Sequence, residues 1–310
     1  MNNLKKIGLT ALAGSLVAST AYAGALSVSG SAGVKYQSKS GSSGATSVQG
    51  NPWSDSNGIT FSGGGEMDNG MTVGVSYTMT DAAFSTSNVT LDMGDAGKLA
   101  FGHDSAHGGI DTIKDKMPTA GEEAWDDHGS GDDAGVTDVG ADASLYYSVN
   151  MSGITASASY ARTGLGTDNS IALVASELVD GAEFGIGTGT NVISNTSEDD
   201  LTTVYGKYTS GALTFGVQLS EVDKTAANSD VDREAAAISF AVNENLSISY
   251  GISTVKYESS SKVDAESNGF SASYTMGGMT LGAVRNTTDS FGGSSGTDRE
   301  FTEVSLSFAF

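Results

Sequence analysis

The sequence has no cysteine, only two prolines and few basic residues. Without disulfides, an exported chain of this kind has to be stabilised by a large core or by many paired strands. The 15 Lys and Arg residues stand against 37 Asp and Glu residues, which gives a net charge of −22. Such acidity argues against binding to nucleic acid and against docking onto anionic lipid.

Long apolar runs are also absent, since no stretch of about 18 apolar residues follows the N-terminal segment, and no transmembrane helix is predicted. The N-terminal segment combines Lys5 and Lys6, a short apolar run over 7–18 and an Ala21-Tyr22-Ala23 cleavage signal. These features predict a signal peptide over residues 1–23. Residues 24–310 are then expected to form a single exported domain.

What the sequence does contain is a regular alternation of apolar with small polar residues, which is typical of β-strands. In residues 213–220, for example, Leu, Phe, Val and Leu alternate with Thr, Gly, Gln and Ser. Sixteen such stretches are separated by turn signals, among them Asp68-Asn69-Gly70 and Gly277-Gly278. The odd-numbered connections are predicted to be long and polar and the even-numbered ones tight, as in outer-membrane barrels.

The composition of the two strand faces favours a membrane barrel over a water-soluble β-sandwich. The polar faces carry Ser, Thr and Gly with few charges, whereas a sheet exposed to water usually carries more Lys and Glu. A closed barrel pairs every backbone group in lipid, and sixteen strands leave an aqueous channel. We therefore predict an all-β fold, a sixteen-stranded antiparallel transmembrane β-barrel in contact with outer-membrane lipid.

The alternation stops between residues 104 and 138, where acidic residues accumulate. Loops of this length are usually functional or disordered. We predict that residues 104–140 are the third long loop, fold into the lumen and narrow it; a solvated acidic surface loop is the alternative. The acidic residues predicted to line one side of this constriction are Asp111, Asp115, Glu122, Glu123, Asp126 and Asp127.

Basic residues on the polar strand faces are predicted to line the other side of the constriction, namely Lys35, Lys207 and Arg233. Arg162 and Arg285 fall in phase with apolar residues near strand ends, which places them at the rim. Because acid far exceeds base and a ring of acid selects cations, we predict a cation-preferring pore for small hydrophilic solutes and ions.

Motifs for metals and catalysis are weak. His103, Asp104 and His107 have a spacing that binds metal on a helix, but they lie at a predicted strand-to-loop transition. Asp126 and Asp127 offer oxygen ligands to Ca²⁺, although no ordered calcium-loop spacing is present. No hydrolase, zinc-protease or nucleotide-binding motif occurs. We predict no other cofactor and no enzymatic activity; a barrel hydrolase that uses His103, His107 or His128 is a remote alternative.

Two segments resemble a known family. The sequence Ser307-Phe308-Ala309-Phe310 resembles the C-terminal signature of Gram-negative outer-membrane porins, whose last aromatic residue is read during insertion. Residues 93–102, MGDAGKLAFG, followed by the acidic stretch, resemble porins of alphaproteobacterial, Rhodobacter-like type. The resemblance implies a homotrimer of sixteen-stranded channels, and Gly63 and Gly65 hint at a subunit interface. A non-conducting exported adhesin or surface-layer β-protein is the alternative from a different class.

Overall fold

The structure, a computed structural model, describes residues 26–41, 51–81, 83–103, 108–126, 139, 144–176 and 178–310. The strands are β1 Ser27–Gly41, β2 Trp53–Glu66, β3 Thr72–Thr80, β4 Ala83–Asp92, β5 Lys98–His103, β6 Ser144–Met151, β7 Ile154–Arg162, β8 Thr167–Ala175, β9 Ala182–Ser194, β10 Ser197–Ser210, β11 Leu213–Lys224, β12 Val231–Ala241, β13 Leu246–Tyr257, β14 Ala265–Met276, β15 Met279–Asp289 and β16 Arg299–Ala309. Short 3₁₀ turns occupy Gly94–Ala96, Gly109–Thr112 and Phe291–Gly293. Among the described residues, no helix is long and apolar enough to cross a membrane.

The strands form one closed antiparallel barrel in chain order, and β1 pairs with β16. The backbone N–H of Gly30 donates to the carbonyl of Phe310 (2.7 Å), and the N–H of Phe310 donates to the carbonyl of Gly30 (2.9 Å). Closure removes the free strand edges that an open sheet would present, so the backbone pairs internally. The predicted sixteen-stranded antiparallel β-barrel is confirmed.

The alternation of the sequence separates an apolar outer face from a polar inner face. On β11, the side chains of Val217 and Leu219 are each 53% exposed, whereas Gln218 between them is 1% exposed. A water-soluble sheet would bury its apolar side chains and expose its polar ones. The reversed arrangement fits a barrel whose exterior contacts hydrocarbon.

Three odd-numbered connections are much shorter than predicted. β3 ends at Thr80 and β4 begins at Ala83, only 163–166 separate β7 from β8, and only 195–196 separate β9 from β10. The polar stretch that follows Ser194 is mostly strand, and Asp200 pairs in register with Thr190. Strand ends that rise beyond the hydrocarbon need no apolar outer face, so their composition resembles that of a loop.

Candidate functional site

The described part of the acidic stretch, residues 108–126, lies against the polar face of the strands from β7 to β15. At its start, the backbone N–H of Ile110 donates to Ser170 Oγ of β8 (3.0 Å). Further along, the N–H of Ala120 donates to Ser249 Oγ of β13 (2.8 Å). Because the apolar face of this closed barrel is the outer one, these contacts place the segment on the inner wall.

Gln218 of β11 holds the middle of this segment. Its Nε2 donates to the carbonyls of Ile113 (3.0 Å) and Lys114 (2.7 Å), and its Oε1 accepts the backbone N–H of Lys116 (3.2 Å). Buried amides of this kind require partners for both ends of the side chain. Gln218 therefore recognises the backbone of the segment rather than its side chains.

Asn286 of β15 holds the end of the segment through its amide nitrogen. Its Nδ2 donates to the carbonyl of Glu123 (2.7 Å) and to the carbonyl of Asp126 (3.3 Å). Asn286 is fully buried, as Gln218 nearly is. The inner wall thus fixes both the middle and the end of the segment through amide side chains.

Glycines on the inner face leave the space that the segment occupies. A Cβ added at Gly216 of β11 would lie 2.9 Å from Pro118 Cδ, and one added at Gly269 of β14 would lie 2.7 Å from Ala124 Cα. Real side chains essentially never approach so closely. The segment can therefore approach the wall this closely only because these two positions are glycines.

Arg233 of β12 lies beneath the segment, not across the lumen from it. Its side chain is 2% exposed, its guanidinium carbon lies 3.7 Å from the ring centre of Trp125, and its Nε donates to Ser253 Oγ (3.1 Å). The prediction that Arg233 faces the acidic residues from the opposite side is wrong. Alternation correctly assigned Arg233 to the inner face, but it does not reveal what covers that face.

Lys207 of β10 also lies on the side of the barrel that carries the segment. Its Nζ is 3.1 Å from Glu183 Oε1, which also accepts a hydrogen bond from the hydroxyl of Tyr205 (2.6 Å). Lys116 of the segment interacts electrostatically with both Glu183 and Lys207, and burial lowers the pKa of Lys116. Lys207 is thus already paired with acid on its own wall, and its predicted place across the lumen is also wrong.

Lys35 of β1 lies outside the arc from β7 to β15 that the segment contacts. Its Nζ is 3.2 Å from Glu303 Oε1 of β16, and Gln37 Nε2 donates to Glu303 Oε2 (2.7 Å). Glu303 is 3% exposed and Lys35 is 35% exposed. Of the three predicted basic residues, Lys35 is therefore the one outside the arc that the segment contacts, and its charge is balanced by Glu303. Its role in a constriction stays a prediction.

Asp111 and Asp115 lie in the first half of the segment. Asp111 Oδ1 accepts the backbone N–H of Val139 (2.8 Å), and burial raises the pKa of Asp111. Asp115 keeps solvent access, but the surrounding protein raises its pKa by desolvation, an effect that Arg233 partly opposes. Both carboxyl groups thus sit in an environment that disfavours charge more than bulk water does.

Glu123 and Asp126 lie together at the end of the described segment. The backbone N–H of Glu123 donates to Asp126 Oδ2 (3.0 Å). Burial, and then the hydrogen bond and charge of Asp126, raise the pKa of Glu123 to about 9. Glu123 is therefore protonated at neutral pH. The carbonyl of the neighbouring Glu122 accepts a hydrogen bond from Thr119 Oγ1 (2.8 Å).

The remaining predicted residues are exposed or lie outside the described part of the chain, and a rim position for Arg162 and Arg285 stays a prediction. Arg162 ends β7 with its side chain exposed, and Arg285 Nη2 lies 3.4 Å from Glu300 Oε2. Asp104, His107, Asp127 and His128 lie outside the described residues, as does the side chain of His103. Within the part that the structure describes, no group of three or more His, Cys, Asp or Glu side chains could hold a metal. The calcium site at Asp126 and Asp127 stays a prediction.

Sequence reasoning missed the side chains that hold the segment. They are Ser170, Gln218, Ser249 and Asn286 on the wall and Trp125 on the segment. A signal was present in Trp125, because a tryptophan within an otherwise acidic stretch needs an apolar or cationic surface to cover it. The wall residues gave no such signal, since any polar inner position fits the alternation equally well.

Residues 8–284 match the family model described as Gram-negative porin. The chain belongs to the Gram-negative porin family. This membership confirms the resemblance and the predicted outer-membrane location, and it indicates a channel protein rather than an enzyme. No protein with a curated description matches this porin's sequence.

Solved porin structures share the fold of this porin at low sequence identity. A variant of Rh. blastica porin is 15% identical, with 92% of this chain and 100% of that chain covered and a TM-score of 0.66. An anion-selective porin from Comamonas acidovorans is 14% identical, with 92% and 99% covered and a TM-score of 0.69. A loop-deletion variant of OmpT from Vibrio cholerae is 11% identical, with 93% and 99% covered and a TM-score of 0.69.

Proposed function

We propose that this porin forms a water-filled channel for passive diffusion of small hydrophilic solutes and ions, and that residues 104–140 narrow it. The main support is the position of residues 108–126, which run along the inner wall from Ser170 of β8 to Asn286 of β15. A barrel of sixteen strands is wide enough to keep an aqueous path beside such a segment. One side of that path is then the segment, and the other is the wall around β1 to β5.

We further propose that the channel prefers cations. The charges that support this preference are those on the segment, because Lys35 and Lys207 are each paired with a glutamate and Arg233 is buried. Glu123 is neutral at neutral pH and adds nothing. The acidic residues that remain on the described segment are Asp111, Asp115, Glu122 and Asp126, against Lys114 and Lys116.

The fold itself does not set the sign of the preference. The porin from Comamonas acidovorans that shares this fold is described as anion-selective. Ion preference in a pore follows from the charged side chains that line its narrow part. The cation preference of this porin is therefore a proposal about its own side chains.

Recordings from planar lipid bilayers test this function. The purified protein is expected to insert with stepwise increases in conductance, and the reversal potential in a salt gradient is expected to show cation preference. Salts with larger cations and anions then measure the width of the narrow part. An anion-preferring reversal potential would refute the proposed sign, and absence of conductance steps would favour the non-conducting adhesin or surface-layer protein.

Strand lengths support the proposal of a homotrimer. On the same side of the barrel, β3 and β7 have 9 residues each, against 13 in β9 and 14 in β10. At about 3.3 Å per residue and a tilt near 45°, nine residues cover about 21 Å of an apolar band about 25 Å tall. The part of the barrel with short strands is its low side, and the part with long strands is its high side. In a trimer, the neighbouring copies of the chain would shield the low side from lipid.

Two substitutions on the outer face test the trimer. Phe101 lies on the low side and Val217 on the high side, and both are about half exposed. Phe101→Arg is expected to convert the native oligomer to monomers in mild detergent, whereas Val217→Arg is expected to leave it trimeric. A wild-type protein that is monomeric in both mild detergent and chemical cross-linking would contradict the trimer.

A further inference from the structure

The inner wall has a cleft on strands β1 to β3, outside the arc covered by residues 108–126. The floor of the cleft is Gly58 of β2, which lies in register between Ser31 of β1 and Thr80 of β3. The cleft has a volume of about 560 Å³. Six residues that line it carry hydroxyl groups: Ser29, Ser31, Ser56, Thr60, Thr78 and Thr80.

These hydroxyl groups face the lumen. On β1, Ser29 alternates with Val28, whose side chain is 60% exposed on the apolar outer face. Ser29 is in register with Thr60 of β2, which in turn is in register with Thr78 of β3. The hydroxyls of three neighbouring strands therefore converge on one patch of the inner wall.

Gly58 keeps the centre of the cleft open. A Cβ added at Gly58 would meet Ser31 Oγ at 3.4 Å and the carbonyl of Met79 at 3.6 Å, which are ordinary contacts. The backbone of Gly58 is that of a regular strand, so no unusual conformation requires glycine here. A side chain would fit without strain, and its absence leaves space that a solute can enter.

The hydroxyl groups of the cleft can donate and accept at the same time. Thr60 Oγ1 and Thr78 Oγ1 lie 2.9 Å apart and bond to each other. Each hydroxyl has one donor and two acceptor sites, so this bond leaves further capacity on both residues. The side chains that line the cleft are uncharged, and Phe310, the last residue of the sequence, also lines it. An anion would lose hydration there without gaining a positive countercharge.

We propose that this cleft binds a neutral polyhydroxylated solute, of the size of one or two sugar rings, during its passage through the channel. The hydroxyl groups of the solute exchange hydrogen bonds with water for hydrogen bonds with the wall. The solute therefore enters the cleft without a large desolvation cost. The volume of the cleft lies within the range of small-molecule sites, about 300–1,000 Å³. This inference rests on the proposed channel function.

The test is a titration of single channels with D-glucose in planar bilayers. We expect the sugar to reduce the wild-type current in a saturable way. Gly58→Val, which fills the cleft, and Thr60→Val combined with Thr78→Val, which removes two hydroxyls, are each expected to weaken the apparent affinity about tenfold. Their conductance without sugar is expected to remain that of an open channel.

A matched pair of threonines provides the control. Thr275 Oγ1 of β14 and Thr280 Oγ1 of β15 lie 3.1 Å apart, as a hydroxyl pair on another part of the wall. Thr275→Val combined with Thr280→Val is expected to leave the glucose affinity unchanged. An equal loss in this control would show that the hydroxyl lining acts generally, and it would overturn the cleft as a site.

The other outcomes separate the site from the channel. Normal conductance with no saturable effect of glucose would overturn the binding site and leave the channel intact. Absence of conductance in the wild-type protein would overturn the channel itself. Gluconate, as a negatively charged probe of similar size, is expected to bind more weakly than glucose, and tighter binding of gluconate would contradict a neutral ligand.

Discussion

The ring of Trp125 lies 3.7 Å from the guanidinium carbon of Arg233. Through this contact a residue of the acidic segment covers a buried cation of the wall. Asp115, ten positions before Trp125 in the chain, also interacts electrostatically with Arg233. The arginine therefore contributes to holding the segment in place, while it contributes little charge to the open part of the lumen.

Replacement of Trp125 by alanine is expected to loosen the end of the segment. The substitution removes a buried aromatic side chain and a desolvated cation–π contact, changes that cost about 3–5 and about 2 kcal/mol in well-packed sites. We expect a lower thermal unfolding midpoint and a larger, noisier single-channel conductance. Trp53→Ala is the control, because Trp53 is 58% exposed on the barrel exterior. Equal effects of the two substitutions would show that Trp125 has no special role in seating the segment.

Two inner-face glycines that face the same alanine are expected to differ in their tolerance. A Cβ at Gly269 would lie 2.7 Å from Ala124 Cα and 2.1 Å from Asn286 Oδ1, whereas one at Gly251 would meet Ala124 Cβ at 3.4 Å. Gly269→Ala is therefore expected to destabilise the protein by about 1–3 kcal/mol, and Gly251→Ala by much less. Thermal unfolding in detergent measures both. A similar midpoint for the two variants would contradict the close approach of the segment to β14.

The raised pKa of Glu123 predicts a pH dependence of stability. Its usual pKa of 4.5 is raised to about 9 by burial and by Asp126. The stabilising contribution of protonated Glu123 is thus complete below pH 4.5 and is lost as the pH rises towards 9. We expect the unfolding midpoint of the wild-type protein to fall over this range and that of Glu123→Gln to fall less. Glu122→Gln, at the adjacent position, is the control and is expected to retain the wild-type slope.

Asp115 and Glu123 are expected to affect ion preference differently at neutral pH. Asp115 has solvent access, whereas Glu123 is protonated and carries no charge. Asp115→Asn is therefore expected to reduce cation preference, and Glu123→Gln to leave it unchanged, as measured by reversal potentials in a potassium chloride gradient. A larger effect of Glu123→Gln would show that its carboxyl group is ionised in the lumen.

The fold could be predicted from the sequence because alternation reports directly on the two environments of each strand. The alternation of 213–220 identified both faces of β11, Leu213–Lys224. The lengths of the connections between strands were harder to predict. Polar strand ends such as Asp200 have the composition of loop residues, and only their pairing shows that they belong to a strand.

The candidate site was only partly predictable for a related physical reason. The acidic stretch was visible as a break in the pattern, and Arg233 was assigned to the correct face. Which wall residues touch the segment depends on long-range packing, as with Gln218 and Lys114, which are 104 positions apart. Local spacing carries no information about such pairs.

The central claim is that the polar face of the barrel lines a water-filled channel, and adjacent single cysteines test it most directly. The natural chain has no cysteine, and on β3 the side chain of Ser76 belongs to the polar face while Val75 is 49% exposed on the apolar face. We predict that a water-soluble, charged thiol reagent modifies Ser76→Cys in membranes and reduces its single-channel current, while Val75→Cys neither reacts nor changes current. Reaction at Val75→Cys with Ser76→Cys unreactive would contradict the account.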